Sequence, residues 1–547
     1  MNFAKPAMSP TNGAAADASM LRQFRSTMLV SSLRLAGKSL GLVKILVIAS
    51  IFGASGSLDA FWIAYTIPAM LPGVILGVVA TAFIPRFMHS SAAGEEAMDW
   101  RGLNTLLTLV GTFVILLAIL VAYANHGIVR FMAPGLPPDV HESAARLTAL
   151  MSIAVLLFGA NAMLTTLLQA MQRFTLLSLE SVVSNIFIIA ACLFAWQYGI
   201  DALVVGVISG FAFHFILLAW GNRDLIVRRL RPAFAFGHSD FRGPAKHMTP
   251  LLIGYLGATG IAIVDRMFLS TLDSGAISIL TYAVMLAALP MEVFGQAVLT
   301  VFYPALSQEY TRGSPASLLD MHVRGLRLLL FVLVPVSILL IVAADPIVTL
   351  LLQHGQFGLE ETAMTASVLI ALAISIPATG IKYLNFRLLH ARQEPWTAVF
   401  IGLFCVCLNA LLDYLLIGPF GVAGVAYATS ISLIVAAILS SWVLRRKLGE
   451  SVMRRLATPV GILLLMSAAM VVTALLISSL LDTYMIGTTR PWLSAFWDLA
   501  AFIPGLLVFL MLGLWLKLDE AGRLLDSLDV SRLARIFRAG TPRRDNK

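Results

Sequence analysis

Charged residues are scarce in this chain, at 12% of 547 residues against about 25% in soluble domains. That shortage excludes an ordinary soluble protein. Cysteine is nearly absent as well. Cys192, Cys405 and Cys407 all fall in apolar stretches, and the last two, two residues apart on a helix, point to different faces. The nine histidines lack metal-ligand spacing, so no metal site is expected beyond a possible Na⁺. No phosphate loop is complete: Gly37-Lys38-Ser39 has Ser32 where the upstream glycine belongs, and no nucleotide is expected. The first 20 residues lack the apolar core of a signal peptide and predict a polar cytoplasmic tail.

What is abundant is apolar surface, 59% of residues with a mean hydropathy of +0.89. It recurs in blocks of roughly 20 residues, the length of a membrane-crossing helix. A β-barrel would show ~10-residue alternating segments instead. The fold class is therefore an all-α polytopic membrane protein. About fourteen transmembrane helices are predicted, over 27–52, 58–85, 103–125, 144–171, 175–197, 202–221, 248–271, 276–304, 325–343, 362–389, 396–417, 421–444, 456–480 and 493–517. The glycines of Gly37-Lys38-Ser39-Leu40-Gly41 are expected to loosen the first of them.

Basic residues set the orientation. Arg223, Arg228, Arg229, Arg231, Arg242 and Lys246 follow span 6, Arg312 and Arg324 follow span 8, and Arg445, Arg446, Lys447, Arg454 and Arg455 follow span 12. The opposite loops hold Arg130 and Arg490 as their clear basic residues. Lys and Arg stay on the cytoplasmic side, so both termini are predicted cytoplasmic. Arg532, Arg535, Arg538, Arg543 and Arg544 continue the pattern in the tail. The net charge of +9 thus faces the membrane surface, and no basic domain outside the bilayer offers itself to nucleic acid.

The chain also matches itself at one offset. Lys44 falls on Arg266, Pro68 on Pro290, Gly199 on Gly421 and Arg223 on Arg445, each 222 residues later. Six spans separate the copies, an even number, which predicts parallel repeats facing a central cavity. The expected organisation is a tail at 1–26, a first lobe at 27–221 and a basic connection at 222–247. A second lobe at 248–444 follows, then two further helices with a basic connection at 445–518 and a basic tail at 519–547.

A charge at bilayer depth costs roughly 2.5–3.5 kcal/mol on insertion scales, so each needs a polar cavity or a partner. Arg34, Lys38 and Lys44 fall within an arc of about 120° on the first helix, giving it one cationic face. Such a face suits an anionic group such as pyrophosphate; the bland alternative is snorkelling of Arg34 and Lys44 to the interfaces. In the second lobe Asn409 and Asp413, four residues apart, stack on one face. With Asp265 and Thr429 they supply oxygens for Na⁺ or a cycling proton, or else a structural salt bridge to Arg266. Glu180, Glu292 and Lys382 also lie in or near spans, with no role evident from sequence.

Several short motifs resemble the MurJ/MviN lipid II flippase family. They are Leu40-Gly41, Ile51-Phe52-Gly53, Asp59-Ala60-Phe61, Ala133-Pro134-Gly135 and Gly275-Ala276-Ile277-Ser278 with Tyr282-Ala283. Leu352-Gln353-His354-Gly355-Gln356-Phe357 and Ala391-Arg392-Gln393-Glu394 complete the set, which covers about 30 to 450. The resemblance implies fourteen spans and an alternating-access flippase in the bacterial inner membrane. Its partner would be a polyprenyl-pyrophosphate-linked glycan of the lipid II type, handled without a cofactor beyond possible Na⁺ or H⁺ coupling. It also implies a substrate set of Arg34, Lys38, Lys44, Asp59 and Arg266. Lysine replaces arginine at Lys38 and Lys44, Pro72-Gly73 replaces an arginine pair, and Val284-Met285 replaces an Asp-Arg pair. A cavity with less arginine makes a lipid-linked exopolysaccharide unit the first alternative. A MATE-like cation exporter would want an acidic cavity, and a lipid-precursor-binding scaffold would not transport. A membrane glycosyltransferase or polymerase would want catalytic groups in a long outer loop. The longest, 126–143, offers Asp139, Glu142 and two histidines.

Overall fold

The computed structural model describes residues 10–80, 100–171, 173, 175–235, 239–449, 452–484 and 491–522. Every regular element among the described residues is a helix. The first seven principal helices are α1 (Pro10–Phe52), α2 (Gly56–Val74), α3 (Trp100–Tyr123), α4 (Pro138–Ala170), α5 (Glu180–Cys192), α6 (Asp201–Gly221) and α7 (Ser239–Leu269). α8 joins Ala276–Pro290 to Gln296–Thr311 through a π turn, and α9 is Pro315–Val342. α10 is a pair, Leu359–Ala373 and Ile376–Ala391, bent by 43°. Pro395–Leu448 is one run that leaves helical geometry at Gly421, dividing it into α11 (395–420) and α12 (422–448). α13 is Val452–Tyr484, and α14 combines Pro491–Ala500 with Phe502–Trp515.

All fourteen expected blocks fall on helices over their described residues, 81–85 lying outside these, although their number depends on how breaks are treated. Among the described residues, eleven helices are long and apolar enough to cross a bilayer, or twelve if the bent pair is one span. That reckoning takes Pro395–Leu448 as one helix and sets Leu177–Cys192 aside as short. The outer surfaces are apolar, as a lipid solvent requires: Leu116, Leu465, Leu476 and Met511 are all exposed. Arg490 and the basic tail beyond 522 lie outside the described residues.

One expectation is overturned. The glycines of α1 do not loosen it; the helix runs unbroken from Pro10 to Phe52. They serve packing instead, since a Cβ on Gly37 would lie 2.8 Å from that of Ser181 in α5. Small residues spaced by four let backbones approach when lipid supplies no hydrophobic drive. Asn185 of α5 uses that closeness, its Nδ2 donating to the Gly37 carbonyl at 3.0 Å.

The chain divides into two compact units. The first comprises 1–279 with His354–Glu361, and the second 280–353 with 362–547. The 222-residue offset has a backbone counterpart. Gly199 has φ 55, ψ −139 and Gly421 has φ 55, ψ −132, a conformation open essentially to glycine alone. A π turn follows the prolines of α2 at Ile75–Ala80, and another follows Pro290 of α8 at Met291–Gly295.

Candidate functional site

In the first unit α1 presents its cations as the arc predicts. Gly37 turns toward α5, so Lys38, 100° further round, turns away and is exposed, as is Arg34. Lys44 is half-buried and lies within electrostatic range of Cys192 on α5. Arg266 of α7 is half-buried, with Nη1 donating to the Ala262 carbonyl one turn back at 2.9 Å. Its Nε is buried and has no hydrogen-bond acceptor among the described residues. A buried guanidinium N–H left so is costly, and an anionic ligand would relieve it. The neighbouring Asp265 is buried and acts electrostatically on Arg266.

Asp59 has a different setting. It lies in the first turn of α2 and is 2% exposed. Its carboxylate accepts from Gly275 N at 2.6 Å, Ser278 N at 2.7 Å and Ser278 Oγ at 2.6 Å. These amides open α8, where the first N–H groups have no partner within the helix. Asp59 therefore caps α8 from another helix, with charge of the sign the helix dipole favours.

Around this cap the short motifs converge. Gly135 N donates to Ser270 Oγ at 3.0 Å, and Gln356 N donates to the Ser50 carbonyl at 2.9 Å. Gly275 has φ +100, and a Cβ there would lie 2.3 Å from the Ala54 carbonyl oxygen. Four connections of the first unit, those after α1, before α4, before α8 and before α10, are thus clasped at one end.

Tyr255 was not foreseen from sequence. A Cβ on Gly73 would stand 1.4 Å from the Tyr255 hydroxyl, so this tyrosine fills the space beside Pro72-Gly73. Its only sequence signal is a polar tip inside an apolar block. In the second unit, Asn409 Nδ2 donates to Asp413 Oδ2 at 2.8 Å, and both residues are fully buried. Thr429 belongs to that unit as well, on α12, whereas Asp265 belongs to the first. Ala391-Arg392-Gln393-Glu394 ends α10. There Gln393 adopts φ 60 and Glu394 pairs with Arg392 at 3.3 Å and with Lys447 of α12. α10 also carries Lys382 and Arg387; sequence gave the first no role and passed over the second.

Comparisons with known proteins give the family and the fold. The model of the family "Lipid II flippase MurJ" matches residues 48–495. A probable lipid II flippase MurJ of Buchnera aphidicola is 28% identical over 84% of this chain and 91% of its own. A solved structure described as lipid II flippase MurJ in an inward closed conformation superposes with TM-score 0.74 at 24% identity, covering 89% of this chain and 98% of that one. An inward-facing MATE family multidrug transporter gives 0.62 at 13% identity, covering 77% and 98%. Fold and intramembrane charge together define a multi-span membrane protein with a transporter fold. Within that class, the chain belongs to the lipid II flippase MurJ family.

Proposed function

We propose that this protein is a flippase, not an enzyme, for a polyprenyl-pyrophosphate-linked saccharide of the lipid II type. It works by alternating access in the bacterial inner membrane, with both termini cytoplasmic. The observation that carries the reading is the cationic equipment of the first unit. Arg34, Lys38 and Lys44 project from one membrane helix, and Arg266 holds a buried N–H in need of an acceptor. An anion entering the bilayer needs such donors, because water is absent there. Complementation tests this. Expression should restore growth to cells depleted of their own lipid II flippase, and failure by abundant, inserted protein would refute it.

Asn409, Asp413 and Thr429 fit a coupling cation by donor chemistry. Carboxylate, amide and hydroxyl oxygens inside an apolar bundle are donors that Na⁺ takes, and the buried carboxylate is alternatively able to carry a proton. Asp265, buried in the first unit, offers the same carboxylate chemistry there.

Gly73 favours a second reading, a flippase for a peptide-free glycan on the same lipid. With Tyr255 beside Pro72-Gly73, in place of cations, less selectivity comes from phosphate and more from sugars and lipid tail. Competition between lipid II and a peptide-free polyprenyl-pyrophosphate oligosaccharide decides between them. Similar affinities with modest salt dependence support the second; strong preference for lipid II with steep salt dependence supports the first.

A further inference from the structure

The second unit carries charges of its own, apart from the cationic face of α1 and the buried Asn409–Asp413 pair. Lys382 and Arg387 lie on the Ile376–Ala391 segment of α10, and Glu292 lies in the π turn of α8. Two tyrosines tie them together. The Lys382 ammonium stands 4.7 Å from the centre of the Tyr383 ring, and the Arg387 guanidinium 5.1 Å from that of Tyr303 on α8. Tyr383 lies within electrostatic range of both Arg387 and Glu292. Neither cation has a carboxylate within ion-pair distance among the described residues, and Arg387, Tyr383 and Glu292 are all exposed.

Lipid is a poor explanation for that exposure. Arg387, near the end of its helix, is able to snorkel, but α8 runs on from Glu292 to Thr311. A carboxylate facing acyl chains at such depth costs several kcal/mol. This face is therefore turned to water, and π turns recur where helices are shaped for function. Two cations backed by aromatic rings, with one carboxylate beside them, suit a ligand that joins an anionic group to hydroxyls.

We infer that Lys382, Tyr383, Arg387, Tyr303 and Glu292 form a second headgroup-binding face. Lys382 and Arg387 hold an anionic group of the lipid-linked saccharide, the tyrosines stack on its sugars and Glu292 accepts sugar hydroxyls. The inference rests on the flippase reading and adds to it a site in the other unit. The anion is a phosphate or a peptide carboxylate; both are oxyanions that ammonium and guanidinium groups recognise.

The test is binding by detergent-purified full-length protein of lipid II and of a peptide-free polyprenyl-pyrophosphate oligosaccharide. The variants are Lys382→Gln/Arg387→Gln, the charge-keeping Lys382→Arg/Arg387→Lys, and Glu292→Gln. Loss of charge-assisted hydrogen bonds should weaken binding by about tenfold or more in the neutral pair, and the charge-keeping pair should retain most of it. Glu292→Gln keeps an oxygen to accept sugar hydroxyls and removes only the negative charge, so it should retain or tighten binding. Weakening toward both lipids identifies the phosphate as the bound group, and weakening toward lipid II alone identifies the peptide carboxylates. Unchanged binding by the neutral pair overturns the inference and leaves the flippase reading standing. If the neutral pair does not fold, unchanged binding by Lys382→Gln and Arg387→Gln, each made singly, overturns it equally. Wild-type protein that binds neither lipid overturns both.

Discussion

Lys38 and its neighbour Gly37 show how one residue step separates packing from chemistry. Gly37 admits α5, and Lys38, a turn of 100° away, is exposed. Lys38→Ala should abolish transport while leaving insertion and abundance unchanged, and Lys38→Arg should keep activity; normal transport by the alanine protein would remove Lys38 from the mechanism. Lys38 was legible in the sequence because a charge in an apolar block needs a reason. Asp59 was legible as an unusual residue, but its surroundings were not, since its partners lie 216 and 219 positions away. Asp59→Ala leaves three donors at the start of α8 without their acceptor. Each orphaned buried group costs about 1–3 kcal/mol, so unfolding in detergent should shift down by many degrees. A transition within a degree or two of wild type would show that water replaces the carboxylate.

At the scale of elements, hydropathy located the helices but not their breaks. The blocks were readable because each must hide its backbone from lipid along its full length. The 43° bend of α10 and the π turns were not readable, since neither interrupts the apolar run. The break at Gly421 was half readable: the repeat marked the residue, and only the backbone shows why it must be glycine. Gly199→Ala and Gly421→Ala should each cost about 1–3 kcal/mol from forcing a side chain onto that conformation. Thermal unfolding checks this. Alanine variants as stable as the parent would mean that both breaks relax at no cost.

For the molecule as a whole, sequence conveyed the family and left the coupling ion open. Asn409 and Asp413 were foreseen on one face, and the structure shows the amide bonded to the carboxylate. Asp413→Asn should uncouple transport from the ion gradient. With a Na⁺ site, thermal stability should rise with sodium at constant pH and ionic strength, because a ligand that binds only the folded state stabilises it. With a proton site, choline should replace sodium without effect and pH should matter instead. Indifference to both, in protein shown to transport, would make the pair structural.

The central claim is that a lysine-based cationic face inside the bilayer carries a lipid-linked pyrophosphate across it. Its most direct test is lipid II translocation in vesicles reconstituted with purified protein, wild type beside Lys38→Ala. Labelled lipid II should move between leaflets faster with wild-type protein, and only at the protein-free rate with the alanine variant. Equal rates from wild-type, variant and empty vesicles, with the protein folded and an ion gradient present, would contradict it.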